Sequence, residues 1–222
     1  MSRSGSSAFP LWPLPLAIAA LFTVAAHVAL WLSIRDGYVE ACVPVLEGCT
    51  SISRAARHGL GNHVFRLMVL PCALLVGLHW WLAARWLGRG RRDVAWLGGV
   101  AALALAVYAT FLGTDGDAYR FLRRYGVVCF FGFGYLAQLR FLGGARGGTQ
   151  AEGRLFAAMV AVSVLMLLLG LGNVVAGALI ANEALKDRIE NALEWQLGWL
   201  LAGWYVLHAM LWRKARVKLA FA

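Results

Sequence analysis

Residues 49–68 read CTSISRAARHGLGNHVFRLM, and within them a polar, arginine-bearing loop runs straight into an apolar helix. Arg54, Arg57, His58, His63 and Arg66 are thereby set at the mouth of an apolar segment that continues to Trp86. Ionisable groups at such a boundary are costly, so the pattern asks what they hold. The whole chain agrees with a membrane reading. Of its 222 residues, 61% are hydrophobic and 14% charged, with a mean hydropathy of +0.67, which lies outside the range of soluble globular domains. That length accommodates about six spans of ~20 residues with short connections and leaves no room for a separate soluble domain. The expected fold is all-α, a polytopic six-transmembrane-helix bundle.

The spans are expected at residues 14–34, 63–86, 94–113, 127–142, 155–181 and 193–212. Residues 1–13, with Pro10 and Pro13, read as a disordered lead, and residues 213–222 as a basic tail. The first apolar run is longer than the core of a signal peptide and no small-x-small site follows it, so it is read as a retained helix. Pro71 falls inside the second span, where a bundle tolerates a kink. The third span carries no charge. The fifth, at 27 residues, is about 40 Å long and exceeds the ~30 Å hydrocarbon core, so it tilts or projects.

The formal charge of +10 does not point to nucleic acid, because the basic residues sit between apolar runs, where they set orientation. The termini with the second and fourth loops hold twelve basic residues and two acids, Asp93 and Glu152; the opposite side holds nine of each. The first side is therefore expected to be cytosolic and loops 1, 3 and 5 to face out. Trp12, Trp31, Trp80, Trp81, Trp86, Trp195 and Trp212 fall near span ends, as interfacial anchors do.

Orientation explains the cytosolic arginines but not the outer ones. Loop 1 supplies Arg54, Arg57 and Arg66, and loop 3 supplies Arg120, Arg123 and Arg124. If the chain is helical beyond Gly116, Asp117, Arg120 and Arg124 share a face, as His63 and Arg66 do. Glu183, Asp187, Glu190 and Glu194 form an acidic stripe at i, i+4, i+7 and i+11. Two readings stand side by side: an ion-pair network closing the outer rim, or a socket in which Arg54, Arg57, His63, Arg66, Arg120, Arg123 and Arg124 hold the phosphate of a lipid headgroup, guanidinium forks binding phosphate bidentately.

Other polar positions are weaker signals. Cys42 and Cys49, seven apart in loop 1, are expected to form a disulfide on an oxidising side, whereas Cys72 and Cys129 read as small apolar residues. On the last span Glu194, Gly198, Leu201, Tyr205 and His208 make one stripe facing the bundle, with Glu190 above it. Counted by depth, His79 and His208 both approach the cytosolic side while His27 and Asn173 lie deeper; without metal-ligand pairing among them no metal and no cofactor are expected, and each buried histidine is expected to bond a neighbouring helix. An acyltransferase or lipid hydrolase would use His63 as general base with Asp117 or Glu194 orienting it, and Ser51 or Ser53 as nucleophile. The third alternative is a structural subunit packing through the Gly-rich faces of spans 4 and 5.

Three stretches carry a family resemblance. SISRAARHGLGNHVFRLMVLPC, with Ser51, Ile52, Ser53, Phe65 and Arg66, DAYRFLRRYGVVCFFGF, and IENALEWQLGWLLAGWYVLHAMLW, with Glu194, Trp195 and His208, resemble the six-span membrane proteins that include the damage-regulated autophagy modulators, the FRAG-type proteins and the Golgi proteins that remodel GPI-anchor lipids. The resemblance spans residues 14–212 and implies lipid work on the non-cytosolic side, with a phospholipid or glycolipid partner. It departs before the fourth span, where the family's histidine is replaced by Arg123 or Arg124: an arginine keeps a binding role but cannot do proton chemistry. Arginine outnumbers lysine 18 to 3, which points to a GC-rich bacterial genome and an inner or plasma membrane.

Overall fold

The structure is a computed structural model and describes residues 8–88, 90–145 and 150–220. Residues 1–7 of the expected lead, Arg89 of the second loop, residues 146–149 of the Gly/Arg linker and the last two residues of the tail lie outside that range.

The chain is helical, with α1 at Pro13–Arg35, two single-turn helices α2 at Pro44–Glu47 and α3 at Ile52–Ala55, then α4 at Gly59–Leu87, α5 at Arg92–Phe111, α6 at Asp117–Gly144, α7 at Gln150–Leu179 and α8 at Glu183–Lys214. Among the described residues five helices are long and apolar enough to cross a membrane: α1, α4, α5, α6 and, from Glu152, α7. Several boundaries differ from the expectation. Helix α6 begins ten residues before the expected fourth span and α8 ten before the expected sixth. Both extensions are charged, so a hydropathy reading assigns them to loops, although their side chains satisfy each other at helical spacing, Arg120 with Asp117 for example. Helix α7 ends at Leu179 rather than at residue 181.

The lead and tail are also revised. Ala8–Pro10 (β1) pairs antiparallel with Lys218–Ala220 (β2), Phe9 opposite Leu219. The two ends of the described chain therefore meet at one end of the bundle, here called the terminal end; loops 1, 3 and 5 lie at the other, the loop end.

Around the bundle, packing runs α6–α5–α4–α1–α8–α7, with α7 meeting α6 only sparsely. Small residues set the close crossings. A Cβ at Gly98 of α5 would lie 2.1 Å from the Trp80 side chain of α4, so only glycine lets these helices approach. Pro71 lies inside α4, which continues unbroken past it. At the loop end Asn62 closes the structure, its amide donating to Ala56 O and Leu112 O, both at 3.0 Å. Loop 1 is thereby tied to the α5–α6 connection.

Candidate functional site

The loop end is built by α8 reading the backbone of loop 1. Arg188, Asn191 and Trp195, at i, i+3 and i+7, share a face. They donate to Glu47 O at 3.0 Å, Gly48 O at 2.9 Å and Thr50 O at 2.9 Å, while Gln196 reaches Val45 O at 3.1 Å. Gly48 adopts φ +62°, and a Cβ there would fall 1.8 Å from Arg188 O, so the contact requires glycine. The expected Cys42–Cys49 disulfide is present and brackets this segment. Ser51 caps α3 by accepting from Arg54 N at 3.1 Å.

Glu194 completes the attachment. One of its oxygens accepts from Ser53 N at 3.0 Å and Ser53 Oγ at 3.2 Å, and Ser53 Oγ lies 3.0 Å from the hydroxyl of buried Tyr108 on α5. Beneath this trio opens an apolar pocket of about 680 Å³, its mouth included. Its walls come from Phe22, Ala26 and His27 of α1, Phe65 and Val69 of α4, Leu105 and Tyr108 of α5, Val127, Phe130 and Phe131 of α6, and Glu194, Trp195, Gly198 and Trp199 of α8. Among the described residues, none of helix α7 lines it. Along the expected stripe on α8, Glu194, Gly198 and Leu201 line the pocket, Tyr205 and His208 are buried, and Glu190 is exposed.

The arginines divide into paired and unpaired. Arg54 grips Asp187 with two bonds, Nη1 to Oδ2 at 2.6 Å and Nη2 to Oδ1 at 2.5 Å. That hydrogen bond holds the Asp187 carboxyl below its ordinary range and raises the Arg54 guanidinium above its own. Arg120 pairs with Asp117 in the open. Among the described residues Arg57, Arg66, Arg123 and Arg124 make no ion pair. Arg123 donates to Thr114 O at 3.1 Å. Arg57 is half-buried and its Nε has no acceptor. Burial, then the like charges of Arg123 and Arg54, lower its pKa from the usual guanidinium value.

The other predicted positions separate. His63 is exposed, and no hydrogen bond among the described residues joins it to Asp117 or Glu194, whose partners are Arg120 and Ser53. Of the acidic stripe, Asp187 and Glu194 turn to loop 1 while Glu183 and Glu190 are exposed. His79 and His208 depart from expectation: they meet, rings 4.7 Å apart, fully buried among Trp80, Trp204, Tyr205, Trp212 and Phe141. Their ring nitrogens have no hydrogen-bond partner among the described residues, because the surrounding shell offers aromatic faces rather than acceptors. No group of three or more potential metal ligands occurs among the described residues. Sequence reasoning missed Tyr108 and Asn191; the signal for Tyr108 was a lone ring hydroxyl in an otherwise uncharged span.

Comparison of the chain with family models, with curated proteins and with solved structures returns no match. The site is accordingly read from its own geometry.

Proposed function

We propose that the protein is an integral membrane lipid-binding protein that holds the acyl chain of an anionic lipid in the apolar pocket and its phosphate against Arg57 and Arg123, with Arg66, Arg124 and His63 at the periphery. One observation carries this reading: Arg57, half-buried with an unsatisfied Nε, and Arg123 repel each other within electrostatic reach of Tyr108 on the pocket wall, and among the described residues neither makes an ion pair. Like charges held together this way are stabilised by an anion, and a planar fork suits phosphate. Glu194, the nearby acid, is engaged by Ser53.

The same reading takes α8 as a sixth span. Its 32 residues extend about 48 Å at 1.5 Å each. It runs beside α1 and α7, and the β1–β2 pairing that brings both ends of the described chain to one end of the bundle supports an even number of crossings. By the balance of basic residues the terminal end is cytosolic, and the pocket opens in the outer half of an inner or plasma membrane.

The test is chemical. Protein purified in mild detergent is extracted and its phospholipid measured per chain, for the wild type and for Arg57→Ala with Arg123→Ala. Stoichiometric phospholipid that drops in the double variant supports the proposal; equal retention by both, or none in the wild type, removes it.

A further inference from the structure

The pocket's polar head has a direction. A carboxylate only accepts, so the Ser53 Oγ–H is spent on Glu194 at 3.2 Å. The 3.0 Å contact between Ser53 Oγ and Tyr108 must then be donated by the tyrosine. Tyr108 is left with oxygen lone pairs, and Glu194 keeps acceptor capacity beyond its two bonds to Ser53. Two polar groups on the pocket wall, Tyr108 and Glu194, thus present lone pairs.

Depth adds a second constraint. Arg123 lies one turn before Val127 on α6, and Arg57 precedes α4, whose Phe65 and Val69 line the pocket. Glu194 and Tyr108 come next, and Leu105 and Leu201 lie a turn or two further in. The order from the surface inward is cation, acceptor, apolar wall.

Resting on the lipid reading above, we infer that the ligand is a phosphate-bearing lipid with a free hydroxyl on the chain side of its phosphate, donated to Glu194 and Tyr108. A monoacyl glycerophospholipid or a sphingoid phospholipid has that order of groups. In a diacyl glycerophospholipid the oxygens between phosphate and chains are all esterified and offer no donor, and a hydroxylated headgroup places its donor beyond the phosphate. A buried site built around acceptors discriminates against a ligand without the donor, because its own groups go unpaired.

The probes are radiolabelled monooleoyl glycerol phosphate, with its secondary hydroxyl free, and oleoyloxypropyl phosphate, the same molecule without it. Equilibrium uptake is measured on the full chain in nanodiscs, for the wild type, Glu194→Gln and Tyr108→Phe. The wild type should favour the hydroxyl probe by about tenfold or more. Tyr108→Phe, which keeps the ring and its packing, should bring the two probes to within about threefold of each other, and this variant carries the test if Glu194→Gln fails to fold. Equal uptake by the wild type, or a preference untouched in Tyr108→Phe, overturns the hydroxyl inference and leaves the lipid reading standing. Uptake of neither probe overturns both.

Discussion

Arg54 and Asp187 face each other fork to fork across 133 residues of sequence, whereas Arg57, three residues on, makes no ion pair among the described residues. The two arginines therefore serve different ends, and substitution separates them. Arg54→Ala removes a pair whose side chains are nearly half exposed, so solvent screening limits the stability loss to roughly 1 kcal/mol or less. Arg57→Ala relieves repulsion and should leave stability unchanged or slightly raised, while retained phospholipid falls by about tenfold. Thermal unfolding and lipid phosphorus measured on the same preparations decide the matter. A rim made only of ion pairs gives the opposite order, with Arg57→Ala keeping its lipid.

Acid should loosen the loop end through Asp187. Its folded pKa is depressed, first by the Arg54 hydrogen bond, with burial opposing and the Arg54 charge assisting. The stabilisation is then complete above the ordinary carboxylate pKa of about 3.9 and is lost as pH falls through the lower folded value. Screening again keeps it near or below about 1 kcal/mol. The difference in unfolding midpoint between the wild type and Asp187→Asn should be constant from neutral pH down to about 5 and shrink towards zero below 3. A difference that grows on acidification contradicts this.

Much of this architecture is legible from hydrophobic runs alone, and the parts that are not share a cause. Five membrane-length helices and the Cys42–Cys49 bond depend on local composition or short separation, which a sequence displays directly. The starts of α6 at Asp117 and of α8 at Glu183 escape a hydropathy reading, which places charge in loops, and only the helical spacing of their charged residues points to them. Side-chain meetings between distant elements were hidden for a different reason. Nothing in the spacing of His79 or His208 says that α4 and α8 bring their rings to 4.7 Å, since that depends on helix rotation set by the whole packed interior. The helical spacing along α8 singles out Glu194, but its partner Ser53 and the pocket beneath them follow from the docking of loop 1 on α8.

Loop 1 depends on its covalent ring. Cys42 and Cys49 are seven positions apart, and closing so small a loop constrains the unfolded chain by about 2.5 kcal/mol. The Cys42→Ser, Cys49→Ser variant should therefore unfold at lower temperature than the oxidised wild type, and reductant should bring the wild type down to the same midpoint. Because Arg188, Asn191, Trp195 and Gln196 still hold the backbone, the double variant should fold and retain lipid above background. Free alkylation of both cysteines in unreduced protein contradicts the bond.

Helix contact at Gly98 tests the packing away from the site. A methyl added there meets the Trp80 side chain at 2.1 Å, and Trp80 is itself fully buried against Trp204 and Phe141. Rearrangement of so closed a cluster costs about 1–3 kcal/mol. Gly98→Ala should lower the unfolding midpoint, whereas Gly99→Ala, one position on, meets nothing within 4 Å and should be neutral or mildly stabilising. Equal midpoints for the two variants would mean that α4 and α5 do not cross here.

Orientation is the prediction on which the rest turns. Both ends of the described chain lie at the terminal end of the bundle, together with Arg91 and Arg92, while Arg57, Arg123 and the pocket lie at the loop end. If the basic balance sets the topology, single cysteines at Arg92 and Lys214 should be shielded from an impermeant thiol reagent in intact cells, and one at Arg124 should react, all in a background lacking Cys42 and Cys49. Five crossings instead of six would put Lys214 on the reactive side with Arg92 still shielded, and would require the β1–β2 pairing to break. Labelling at Arg92 with protection at Arg124 would invert the protein, moving the arginine cluster and its lipid to the cytosolic leaflet. The three cysteines together separate the three arrangements, since each gives a different pattern of labelled positions.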